Sequence, residues 1–280
     1  MTIIDFRLRP PLRGFLDLIM YANAERRDAA TRRHGMEPAR SAREQSMDLL
    51  LREMDEAGVT TGVVMGRYSG VYGSVSNQDV AAIVDEYPGR FVGVGSVDPS
   101  DRRQALRHID EALALGLKGI NLEPGAYPTP LYPDDRRLYP IYAYCEDREI
   151  PVVMMAGGSA GPDISYTNPI HVDHVCGDFP GLRVAVTHGG WPWVQEILHV
   201  AYRHPNLYVS PDQYLCNMPG ADDYLTALNG FLADRFLYAS SYPFIGVKAY
   251  ADWFRALPVK PEVRERVLHR NAARFLNLQV

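Results

Sequence analysis

No run of apolar residues in this 280-residue chain approaches the roughly 20 needed to cross a bilayer. The N-terminus also lacks the charged-then-apolar pattern of an export signal. Both absences lead us to expect a cytoplasmic protein that makes no use of a membrane. Cysteine is scarce: Cys145, Cys176 and Cys216 are widely spaced, with no Cys-x-x-Cys pair. That excludes a disulfide scaffold or a structural zinc knuckle and predicts buried, reduced thiols. A broad basic face is missing too, because 29 Lys and Arg stand against 34 Asp and Glu. Nucleic acid is therefore not an expected partner. Gly157-Gly158-Ser159 and Gly189-Gly190 lack the spacing of a dinucleotide or phosphate loop. Ser241 lacks the Gly-x-Ser-x-Gly elbow of a nucleophilic serine.

What is present is a regular alternation. Short β-branched or apolar runs fall at 3–6, 62–65, 91–96, 119–122, 151–155, 184–187, 207–209 and 236–239. Between them, apolar residues recur at helical spacing, as in Met47, Leu50, Leu51, Met54 and Ala57, with Gly58 placed to end that helix. Further helices are predicted over 77–87, 101–115, 138–149, 168–179, 192–203, 220–233, 247–256 and 261–276. With 46% apolar residues, the chain has enough to bury one core of barrel size. The pattern favours an α/β fold, a single-domain (β/α)8 TIM barrel over 1–280, although counting alone leaves a doubly wound open sheet as the alternative. The arginine-rich stretch 10–42 is predicted as an irregular rim insertion, with an oligomer contact as its alternative role, which leaves the oligomeric state open between a monomer and a homo-oligomer. The loop Pro124–Arg137 is placed on the same rim, since segments following strand C-termini build that face of a barrel.

Four stretches carry a family likeness: Ile3-Ile4-Asp5-Phe6, Ile150-Pro151-Val152, Thr187-His188-Gly189-Gly190-Trp191-Pro192-Trp193 and Ser240-Ser241-Tyr242-Pro243-Phe244. With the closing Asn271-Ala272-Ala273-Arg274, they resemble the amidohydrolase-related family across nearly the whole chain. The likeness is to the branch of aminocarboxymuconate-type decarboxylases and pyrone-dicarboxylate-type lactonases. A closer likeness is to a small set of uncharacterised putative hydrolases that open Asp-Phe-Arg-Leu-Arg-Pro-Pro. The resemblance implies a barrel and places metal ligands at Arg7, Arg9, Met155, His188 and Ser241. Only His188 is a good ligand, and guanidinium has no lone pair to donate. The sequence therefore predicts no catalytic metal and no other cofactor.

The residues that remain suggest a different chemistry. Arg7 and Arg9 are expected to face the barrel cavity and hold a substrate carboxylate in forked geometry. Their alternative role is ion pairing with Asp5, Glu123 or Asp212. His188, ending a strand before a Gly-Gly turn, is the candidate proton shuttle, with Glu123 or Asp212 assisting; its alternative is a hydrogen bond to a backbone carbonyl. Asp163 is a weaker carboxylate candidate. Arg67, Tyr68, Tyr132, Met155, Tyr166, Trp191, Ser241 and Tyr242 are candidate substrate-binding residues, with rim packing as the alternative for the aromatic ones. The expected activity is metal-independent hydrolysis of a small carboxylated lactone, ester or amide. The alternatives are a decarboxylase or other C–C or C–O lyase, and an inactive ligand-binding or partner subunit. The expected partner is a small anionic molecule.

Overall fold

A computed structural model describes residues 2–279. Seven strands, β1 (Ile3–Leu8), β2 (Val59–Met65), β3 (Phe91–Ser96), β4 (Ile120–Leu122), β5 (Val152–Met155), β6 (Val184–Thr187) and β7 (Leu207–Ser210), form one parallel sheet in chain order. The eighth run, 236–239, is not a continuous strand. It closes the ring through isolated bridges, Val209 with Phe236 and Leu8 with Tyr242, and through Phe6 N–H donating to the Tyr238 carbonyl at 2.9 Å. Part of its ladder is replaced by a side chain: Asp5 Oδ1 accepts the Ser240 N–H at 3.0 Å. The sheet curls into a (β/α)8 barrel.

The helices follow local signals. Ser46, Ser76 and Asp101 accept hydrogen bonds from the N–H three residues on and start Met47–Ala57, Asn77–Glu86 and Arg102–Ala114. Gly58, at φ 70°, ends the first of these in the left-handed conformation that glycine adopts without penalty. Three expectations are corrected. The terminal run is Pro261–Glu265, a π-helical turn Arg266–Arg270 and Asn271–Phe275, and the helix expected to reach 233 stops at Leu228. The stretch 10–42 is not irregular: it holds a 3-10 turn (Arg13–Asp17) and the helices Ile19–Ala22, Ala24–Arg33 and Arg40–Arg43. Its period was hidden because the buried face of Ala24–Arg33 is made of Arg27 and Thr31 rather than aliphatic residues. Arg27 donates to the Ala42 carbonyl at 3.0 Å, Thr31 to the Phe244 carbonyl at 2.6 Å, and Tyr21 to the Arg9 carbonyl at 2.7 Å. The segment braces the ends of β1 and of the eighth run.

The core has two layers. Ile4, Phe6, Val63, Val94, Val153, Ala185 and Leu237 fill the barrel interior together with Phe275, which meets Phe6 edge-on at 5.4 Å. Leu8, Val64, Ile120, Val152 and Val184 face the surrounding helices. One irregularity in β1 aims the site. Asp5 pairs with Gly62 and Leu8 with Val64, so β1 spends three residue steps where β2 spends two. This is a bulge, and it breaks the strict alternation of faces. Phe6 and then Arg7 both turn inward, while Leu8 joins the helix-facing layer. Asp5 Oδ1 also accepts the Arg7 N–H at 3.2 Å.

Among the described residues no helix is long and apolar enough to cross a membrane.

Candidate functional site

Buried side chains from six different strand ends meet at the C-terminal end of the barrel. Arg7 reaches across from β1 to Glu123 after β4 (Nη2 to Oε1, 3.7 Å), to Asp212 after β7 (Nε to Oδ2, 3.8 Å) and to the Met155 sulfur of β5 (3.6 Å). Only a side chain lying across the barrel axis touches all three. Arg67, after β2, grips Glu123 more tightly, with Nε at 2.8 Å from Oε2 and Nη2 at 3.0 Å from Oε1. Among the described residues no carboxylate contacts the buried Arg9, and the charges of Arg7 and Arg67 bear on it. Among the same residues the Nη1 atoms of Arg7, Arg9 and Arg67 have no hydrogen-bond partner, nor does the buried Ser241 hydroxyl.

His188 leaves β6 and is held by Asp212. Its Nδ1 lies 2.9 Å from Oδ2, and its backbone N–H donates to the same oxygen at 3.1 Å. Asp212 therefore favours the tautomer with hydrogen on Nδ1 and leaves Nε2 as the free base. His188 (φ 61°), Asp212 (φ 47°) and Ser241 (φ 59°) all occupy the left-handed region. Such backbone costs about 1–3 kcal/mol per residue and persists only where surrounding structure imposes it. Gly189 is obligatory here: at φ 56°, a Cβ on it would stand 2.8 Å from Pro211 Cα and from the Tyr224 hydroxyl.

Electrostatics divides the roles. Burial pushes the His188 pKa down, against the opposing pull of Asp212, so the ring stays neutral at working pH. Burial alone would raise Glu123, but the guanidinium groups of Arg67, Arg7 and Arg9 bring it down to about 2. Burial presses the Arg9 pKa well below its usual range, and the neighbouring cations of Arg7 and Arg67 add to the effect. Guanidinium resists deprotonation, so this is a cation short of an anion.

Of the residues expected from sequence, Arg7, Arg9, Arg67, Glu123, Met155, His188, Asp212 and Ser241 are all buried around this centre. Others lie elsewhere. Tyr242 is buried in the helix-facing core and donates to the Ser41 hydroxyl at 3.0 Å. Tyr132 and Tyr166 stack on each other at 4.4 Å on the rim, and Tyr132 is exposed. Tyr68 packs at 5.9 Å against Tyr127. Trp191 stacks on Tyr214 at 5.0 Å. Asp163 caps the turn Ile164–Thr167 and is exposed. Three residues escaped sequence reasoning. Tyr214 meets the His188 ring edge-on at 5.1 Å, Tyr72 lies 5.4 Å under the Arg67 guanidinium, and Asn121 Nδ2 donates to Glu123 Oε1 at 3.3 Å. Asn121 was within reach, since it lies in β4 two residues before Glu123. No local signal marks the other two.

The five positions where related barrels hold metal do not fit an ion here. Imidazole is the one good donor, a thioether suits only soft metals, and the Arg7 guanidinium lies against Met155 where a cation would sit.

A family model described as "Amidohydrolase" matches residues 4–278. Among solved structures, an uncharacterised TIM-barrel protein from Bordetella bronchiseptica is 55% identical over 99% of both chains, with a TM-score of 0.97. A 2,6-dihydroxybenzoate decarboxylase from Rhizobium shares the fold at a TM-score of 0.72, with 15% identity over 99% of both chains. A 2-keto-4-carboxy-3-hexenedioate hydratase from Sphingobium is 27% identical over an alignment of 134 positions that covers 41% of this chain and 39% of that protein's length. With the match running almost end to end, this chain belongs to the amidohydrolase family, as a (β/α)8 barrel.

Proposed function

We propose that this chain is a metal-independent acid–base enzyme that adds water across, or eliminates it to form, a carbon–carbon double bond conjugated with a carboxylate in a small acid. One observation carries the reading: three buried guanidinium groups face two carboxylates, with unpartnered Nη1 atoms beside a neutral His188 ring held by Asp212. Such a centre favours an anion that gains charge during the reaction. The substrate carboxylate docks on Arg7 and Arg9. His188 Nε2 takes a proton from water as the water oxygen bonds to the carbon β to the carboxylate, and the double-bond electrons move into the carboxylate. The arginines stabilise this doubly charged form more than the ground state, which is what lowers a barrier. The imidazolium then returns its proton to the α carbon. Asp212 keeps the ring oriented throughout, and Glu123, held ionised by Arg67 and Arg7, positions those cations and exchanges no proton.

Direct loss of carbon dioxide fits less well, because arginines that grip the departing carboxylate stabilise the ground state. The partial match to a hydratase agrees with water addition. Hydrolysis of a carboxylated lactone, ester or amide is the second reading, supported by the family description and open to the same His188 base acting on water. Incubation with a panel of short unsaturated di- and tricarboxylates and lactones in deuterium oxide separates the readings. Hydration leaves one deuterium on carbon in the product, ring opening leaves none, and release of carbon dioxide refutes both.

A further inference from the structure

Away from the charged centre, Asp134, His171 and His174 gather on the rim. Asp134 lies in the loop after β4, and both imidazoles come from the helix Ile170–Asp178 that follows β5. Three residues apart, they share one helix face. Each turns Nδ1 to the same carboxylate, His171 at 2.8 Å from Oδ1 and His174 at 2.7 Å from Oδ2. Candidate ligand atoms of the three residues all lie within 4.8 Å of one another. The His171 ring is fixed by stacking at 4.5 Å on Tyr132, while His174 is half exposed and free to adjust.

We propose that Asp134, His171 and His174 bind one divalent transition ion of the zinc class, with water completing a four-coordinate shell. Two imidazole nitrogens and a carboxylate oxygen are a donor set that such ions favour. Four bonds of roughly 2.0–2.2 Å set ligand atoms roughly 3.3 Å apart, so the Nδ1 to carboxylate contacts of 2.7 and 2.8 Å must open as an ion enters, and the movement falls to His174. The ion replaces the two hydrogen bonds to Asp134, and each ring that ligates through Nδ1 carries its remaining proton on Nε2. A bound ion would tie the β4 loop to the helix after β5 and so stiffen the rim that carries Tyr132 and Tyr166.

The test is calorimetric titration of the chelator-stripped full chain with zinc, repeated with cobalt for its ligand-field spectrum. One equivalent is expected to bind, with a four-coordinate cobalt spectrum. His174→Gln and Asp134→Asn are each expected to weaken binding by at least about tenfold, while His188→Gln leaves it unchanged. In the unaltered chain, zinc should protect His171 and His174 from diethyl pyrocarbonate and leave the exposed His199 reactive. That readout does not depend on any variant folding. Absence of saturable binding, binding that survives both rim substitutions or disappears in His188→Gln, or unprotected rim histidines would overturn the proposal.

Discussion

His188 owes its chemistry to three neighbours of different kinds. Burial lowers its pKa, Asp212 fixes its tautomer at 2.9 Å, and the edge-on Tyr214 ring limits its rotation. Because the folded pKa lies below the ordinary 6.5, the neutral base persists as pH falls through that value. The acid limb of a kcat/KM–pH profile, which reports the free enzyme, should therefore lie below pH 6.5, where a free imidazole would already be charging. His188→Ala should lower kcat by a factor of about 100 to 10,000 and abolish that limb. An unchanged acid limb in the variant would remove His188 from the mechanism. The identity of this residue was legible in Thr187-His188-Gly189-Gly190. Its partner was not: Asp212 and Glu123 were equivalent as strand-end carboxylates, and only the barrel decides which of them meets the imidazole.

At the scale of the element, the bulge in β1 brings Arg7 under the mouth, and Asp5 is its keystone. Asp5 Oδ1 takes the N–H groups of Arg7 and Ser240, tying the bulge to the eighth run. Burial raises its carboxyl to about 6 from an ordinary 3.8, despite those hydrogen bonds. A raised carboxyl pKa means that the folded state binds the extra proton, so Asp5 favours folding at low pH and loses that contribution as pH rises through about 6. Asp5→Asn keeps the acceptor oxygen and removes the ionisation. Its Tm relative to the unaltered chain should grow more favourable from about pH 4 to above 6; a pH-independent difference would contradict this. Seven of the eight β runs and most helices were legible because apolar periodicity writes them directly, whereas the eighth closes the ring only through isolated bridges. The bulge was not, since nothing in Asp5-Phe6-Arg7-Leu8 distinguishes it from plain alternation. Nor were the helices of 10–42, whose buried face is polar.

For the whole molecule, the two ends of the barrel do different work. Phe6, Tyr208 and Phe275 pack one end. Phe275→Ala should cost about 3–5 kcal/mol and lower Tm by roughly 10 °C; a shift within error would mean that the terminal helix does not seal the barrel. The other end concentrates cations with too few partners, an arrangement that apolar residues of similar volume would replace at no loss of stability. That contrast makes Arg9 the decisive position, because it is buried and has no carboxylate in contact. Thermal denaturation of the parent chain and of Arg9→Met, with and without fumarate as a probe dicarboxylate at fixed ionic strength, tests whether the arginines form an anion seat. The account predicts a fumarate-dependent rise in Tm for the parent that is absent in Arg9→Met, whose own Tm equals or exceeds the parent's. A variant that melts several degrees lower while keeping the full fumarate response would contradict it.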